Sequence, residues 1–170
     1  MTQPIQNRLA THVAILRLAF GAIWAVNAAL KWMPSFASSF LDSVNGGAQG
    51  QPAWLGPWFH FWSQVLGSQP QAFASLVAVL ESAIAIALIT GFARRTIYLG
   101  AAAMSLLIWA IPQGFGGPYT SASTDIGAGI VYAMVFFALY GLERLATPAR
   151  WAVDNLIIRK LPWWSVVASP

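Results

Sequence analysis

Residues Ala72–Phe92 read AFASLVAVLESAIAIALITGF, and this stretch decides the fold class. It carries a single charge, Glu81, in a run that is otherwise apolar or small. It lacks the alternation of a half-buried strand, and its length suits a helix crossing a hydrocarbon core about 30 Å thick. Three further stretches read the same way: about His12–Met33 (VAILRLAFGAIWAVNAALKWM), about Arg95–Ile111 (TIYLGAAAMSLLIWAI, slightly short) and about Thr124–Leu142 (TDIGAGIVYAMVFFALYGL). None alternates with period two, so a β-barrel is not expected. The whole chain agrees. Of its 170 residues 58% are hydrophobic and 8% charged, against roughly 25% charged in an ordinary soluble domain. That balance argues against a soluble globular enzyme, a disordered tail and a nucleic-acid binder. The expectation is an all-α, polytopic membrane four-helix bundle forming one domain over residues 1–170, with the lipid membrane as its first partner.

Punctuation and charge set the arrangement. Pro34, Gly91 and Pro112 end the first three spans, and Ser123 or Thr124 caps the fourth with Asp125 in its first turn. The first span reads as a retained helix, not a signal peptide. Arg8, Arg94, Arg95, Arg144, Arg150, Arg159 and Lys160 lie outside the apolar runs, whereas loops 35–71 and 113–123 contain no Lys or Arg. By the positive-inside rule both termini are cytoplasmic and both long loops lie outside. Trp32, Trp54, Trp58, Trp62 and Trp109 then form an outer aromatic belt, and Trp151, Trp163 and Trp164 an inner one. In PWFHFWSQVL, Trp58, Phe61, Trp62 and Val65 have helical spacing. This predicts a short interfacial helix in the first outer loop, either a lipid anchor or a lid over an outward pocket. Residues 144–170, with AVDNLIIRKLPWW, read as a cytoplasmic interfacial tail.

Ionisable groups inside a bilayer are costly and face the bundle interior. Arg17, Gly21, Trp24, Ala28 and Lys31 share one face of the first helix. Glu81 shares a face with Ala74, Ala78 and Ala85, and Asp125, Gly129, Tyr132 and Phe136 line up on the fourth. Small residues let such stripes approach closely. Depth predicts an Arg17–Glu81 pair near the membrane centre, joined by Tyr132, and a Lys31–Asp125 pair near the outer surface. These groups either clip the bundle together or line a polar cavity for a quinone headgroup or a proton path.

The loop GFGGPYTSASTD, Gly114–Asp125, is the other distinctive feature. Its clustered amides, with Gly116 and Gly117 beside Tyr119, suit either an anion cradle or a plain turn and cap. His12 and His60 are expected on opposite sides of the membrane, so no haem site is evident; nor is a metal or flavin site. The chain has no cysteine.

RLAFGAIWAVNAALKW, ESAIAIALITGFARR and IPQGFGGPYTSASTDIGAGIVYAMVFFAL together resemble the DoxD branch of the DoxX-like membrane proteins, over roughly residues 8–146. The GFGGPY…STDIG stretch is the most specific element. The resemblance implies a four-helix bundle in a bacterial or archaeal plasma membrane, and a subunit of thiosulfate:quinone oxidoreductase with a DoxA-like partner. It implies catalytic roles for Arg17, Glu81 and Asp125. Lys31 is carried over with them, and Trp24, Tyr132, Gly116, Gly117 and Tyr119 complete a substrate or quinone site. Two other readings stand beside it: a non-catalytic accessory subunit of a larger respiratory or photosynthetic complex, and a small transporter.

Overall fold

The computed structural model describes residues 3–120, 123, 125–146 and 149–169, and these are helical without strands. The helices are α1 (Gln3–Lys31), α2 (Pro34–Gly46), α3 (Gly56–Gly67), α4 (Pro70–Thr90), α5 (Arg94–Ala110), α6 (Ala128–Leu145), α7 (Asp154–Lys160) and α8 (Ser165–Ala168), with three short 3-10 turns between them. Among the described residues α1, α4 and α6 are long and apolar enough to cross a membrane. Their outward faces carry exposed Ile15, Ile23, Val26, Leu76, Val79, Ile86, Val131, Met134 and Phe137. Water would penalise so continuous an apolar surface, and lipid would not.

α1 packs along α4 and α5 along α6, and contacts of α1 with α6 and of α4 with α5 join the two pairs. The small-residue stripes do what their spacing predicts. Ala74, Ala78 and Ala85 are buried around Glu81, and Gly21 and Ala28 around Trp24. The main core between the pairs is Phe20, Trp24, Ile84, Leu88, Tyr98, Phe136 and Leu139. A second cluster of Phe40, Val44, Ala74 and Ile111 seats α2 against α4.

Several boundaries differ from the expected ones. α1 begins at Gln3, because Pro4 is harmless in a first turn; within it Thr11 and His12 fold back onto the carbonyls of Asn7 (2.9 Å) and Arg8 (2.8 Å). Pro34 does not simply end a helix. It starts α2 at a position where proline is preorganised, with Met33 extended before it (ψ 141°). Phe36, Phe40 and Val44, four residues apart, are the signal for this helix. α3 occupies the predicted place but is docked on protein. Phe59 is buried, Trp58 donates to the Ala110 carbonyl (3.1 Å) at the end of α5, and Phe61 faces outward.

α6 starts at Ala128, so Asp125 is not in its first turn. Gly127 (φ 88°) breaks the chain before it, and the cap comes from across the loop, where Gln113 Oε1 accepts from Gly129 N (2.9 Å). Ser123 caps the Thr120 N–H instead (2.8 Å), and Thr124 lies outside the described residues.

Close approach of α5 and α6 depends on Gly129. A Cβ there would stand 2.7 Å from the Ser105 carbonyl and 2.9 Å from Trp109 Cβ, whereas Gly100 has open space around it. Gly129→Ala is therefore expected to destabilise the protein by about 1–3 kcal/mol. Gly100→Ala is expected to stabilise it by about 0.5–1 kcal/mol. Thermal unfolding in detergent checks the pair, and equal effects of the two variants would contradict the close approach.

Candidate functional site

Two polar groups lie inside the helices, one at each end of the Phe20–Phe136 core. At one end Arg17 is fully buried, and its guanidinium turns away from Glu81. The expected Arg17–Glu81 pair does not form. The reason is at the C-terminus of α4, where the last turn leaves carbonyls unpaired and the dipole is negative. Gly91, left-handed at φ 67°, and Phe92 return their N–H groups to the Ala87 carbonyl. Arg17 donates to the carbonyls of Leu88 and Ile89, and to those of Arg150 and Trp151 (2.8 Å). Val153 N and Asp154 N take the carbonyls of Thr90 (2.9 Å) and Gly91 (3.2 Å). One arginine and a strand of tail thus satisfy the end of α4.

Beside it Asp154, also fully buried, accepts from Ala93 N (2.8 Å), Arg94 N (3.1 Å), Arg94 Nε (3.0 Å) and Trp164 Nε1 (2.8 Å). Arg94 reaches Glu143 as well (3.3 Å), Glu143 stands 3.9 Å from Arg17, and Tyr98 Oη donates to it (2.7 Å). Residues 150–169 are therefore docked through Asp154 and Trp164, with Trp151 and Trp163 left exposed, and are not simply a surface tail. Arg94 is a buried partner, not only a marker of orientation. Sequence reasoning missed Glu143, Tyr98 and Asp154. Phe136, Leu139 and Glu143 share one buried face of α6, and that spacing is the signal that finds Glu143. Asp154 has no comparable signal, because its partners Ala93 and Arg94 lie at the start of α5, far from it in sequence.

At the other end Glu81, 2% exposed, lines a chamber of about 170 Å³ with Trp24, Asn27, Lys31, Ser105, Ile108, Gln113, Ala128, Gly129 and Tyr132. Four expected site residues, Trp24, Lys31, Glu81 and Tyr132, are thereby brought together, without Arg17. Trp24 is 1% exposed, and its ring meets Tyr132 (6.0 Å) and Phe136 (5.4 Å). Neither Trp24 Nε1 nor Glu81 Oε2 has a hydrogen-bond partner among the described residues. Both residues line the chamber, and each unpartnered buried polar atom is costly. Arg17 Nε, Arg94 Nη1 and Glu143 Oε2 of the polar group at the other end and Trp62 Nε1 are likewise without a hydrogen-bond partner among the described residues, but they lie outside this chamber.

The Lys31–Asp125 pair does not form either. Lys31 stands over the Phe36 ring (4.6 Å) and Asp125 Oδ1 accepts from Gly127 N (2.7 Å). Asp125 is exposed and lines a second cavity, a vestibule of about 390 Å³, with Gln113, Gly116, Gly117, Pro118, Ser123, Gly127 and Ala128. Tyr119 is exposed, and its hydroxyl donates to Phe115 within its own loop (2.7 Å), so it does not join Glu81. Gln113 and Ser105 are further chamber residues that the sequence does not single out; their helix and loop positions carry no distinguishing pattern.

In comparisons with family models, curated proteins and solved structures, the chain matches none. Its own geometry defines the class: the described residues form an all-helical protein with three helices long and apolar enough to cross a membrane, a buried ionic knot at one end and a polar chamber at the other.

Proposed function

We propose that the chain is the membrane subunit of a quinone-linked oxidoreductase and that the Glu81 chamber receives the quinone headgroup. The observation that carries this reading is the unspent donor–acceptor pair. Trp24 Nε1 suits a carbonyl of the quinone and the Glu81 carboxylate suits a hydroxyl of the quinol, and Tyr132 and Lys31 line the same space. About 170 Å³ is close to the ~150 Å³ cavity that takes one benzene ring, so the chamber holds one six-membered ring, with ring substituents and tail toward its mouth. The DoxD resemblance supplies thiosulfate as the electron source. Two thiosulfate ions join through one S–S bond and release two electrons, and each quinone takes up two electrons and two protons. With no cysteine in this chain, the sulfur chemistry falls to a DoxA-like partner.

In this reading α1, α4, α5 and α6 form a four-helix bundle in a bacterial or archaeal plasma membrane. α5, 17 residues and about 25 Å long, crosses with modest local thinning of the bilayer. Both termini are cytoplasmic, and α2 and α3 cover the outer end. The ionic knot favours a second reading, an accessory subunit of a larger complex, because the knot spends its charges on holding the fold.

Two measurements test the proposal. Purified protein in lipid nanodiscs should bind decylubiquinone, and Trp24→Phe should weaken that binding about tenfold, the worth of one buried hydrogen bond. Membranes that contain the chain should reduce quinone with thiosulfate, and deleting the chain should abolish the activity. Absence of binding together with an unchanged rate in the deletion would overturn the proposal in favour of the accessory role.

A further inference from the structure

We infer that the Glu81 chamber is open to water, and so to protons, from the Gly114–Asp125 loop side alone, with Gln113 as the junction residue. The chamber and the vestibule share two wall residues, Gln113 and Ala128. Gln113 is held there by its backbone N–H on the Ile108 carbonyl (3.2 Å) and by Gly129 N on its Oε1 (2.9 Å). The second bond fixes the amide orientation, so Nε2 is the free donor, without a hydrogen-bond partner among the described residues. The vestibule walls carry Ser123, Asp125 and Gln113, and the chamber walls carry Gln113, Asn27, Ser105 and Glu81. Such a run of polar groups can hold a file of waters.

The opposite direction is closed. Phe20, Trp24 and Phe136 are 5%, 1% and 0% exposed and meet edge to face or tilted at 4.9–6.4 Å, with Ile84 and Leu88 beside them. This apolar layer stands between the chamber and the Arg17 knot. The groups that face Glu81 are Lys31 from α1 and Tyr132 from α6; α5 contributes only Ser105 and Ile108, and Asp125 stands at the vestibule. A proton on Glu81 is therefore exchanged toward the loop side. This last step rests on the quinone reading: the two protons that accompany two electrons onto each quinone come from that side.

The absence of native cysteine makes the route testable. A single Ser105→Cys thiol is placed in the chamber wall, with Tyr132→Cys as a second site if the first variant folds poorly. In proteoliposomes of uniform orientation, silver ion is added to one side, and the thiol left free is counted with a maleimide after unfolding. Silver should block the thiol at least tenfold faster from the loop side than from the other, and Gln113→Phe should slow that reaction at least tenfold. Equal rates from the two sides, or no effect of Gln113→Phe in a folded variant, would overturn the route. Decylubiquinone should protect the same thiol. Preserved sidedness without protection would overturn the quinone reading and leave the route standing.

Discussion

Arg17→Ala is expected to lower the unfolding free energy by about 3–5 kcal/mol, the usual cost of breaking a buried charge arrangement by removing one partner. Arg17 is fully buried and donates to four carbonyls contributed by α4 and by residues 150 and 151. Its removal strands those acceptors and leaves Glu143 with Arg94 and Tyr98. The damage should spread to the tail, because Arg17 holds the carbonyls of Arg150 and Trp151 and the next carbonyls at the end of α4, Thr90 and Gly91, align Val153 and Asp154. Trp164, bonded to Asp154, is a local reporter. Arg17→Lys should fall between the two, since an ammonium keeps the charge but cannot reach four acceptors with a planar fork. Reversible unfolding in mixed lipid–detergent micelles measures the loss. A loss below about 1 kcal/mol would show that solvent or lipid headgroups, not Arg17, satisfy the end of α4.

The fate of Arg17 also shows what a sequence can and cannot reveal. Period and composition are local properties, so helix type and the buried faces of α1, α4 and α6 are legible directly. Spacing alone places Arg17, Glu81 and Tyr132 on inward stripes. It does not give their partners, because a long side chain chooses between two directions by what lies at each end. The Arg17 guanidinium has unpaired carbonyls behind it and an apolar layer of Phe20 and Phe136 ahead of it. Neither is visible without the packing of α4 on α1. Asp125 departs from expectation for a different reason. Gly127 moves the start of α6 by several residues, and a cap that looks local is supplied by Gln113 from the far end of the loop. The α2 helix is legible in its own spacing and is obscured by one rule applied in one direction: Pro34 closes α1 and is equally the preorganised first residue of α2. That charges in the spans gather into polar interior groups is thus a matter of sequence, and which group each joins is a matter of fold.

Glu81→Met should have the opposite sign to Arg17→Ala. Glu81 is 2% exposed, and Oε2 has no hydrogen-bond partner among the described residues; Lys31 shares its chamber but is also engaged with Phe36. A buried polar atom left unsatisfied costs about 1–3 kcal/mol. An apolar side chain of similar length is therefore expected to raise the unfolding free energy by about that amount. Lys31 is half-buried in the last turn of α1, where its ammonium reaches the surface without Glu81. In the same variant decylubiquinol affinity should fall at least tenfold, because the acceptor for its ring hydroxyl is gone. Glu81→Gln keeps the shape and one acceptor and should lose less binding. Stability rising while binding falls is the signature of a group retained for function against the interest of the fold. A structural clip behaves like Arg17, with stability falling and no ligand involved. If Glu81→Met destabilises the protein by more than about 1 kcal/mol, the carboxylate holds the bundle together and the chamber loses its claim to a substrate.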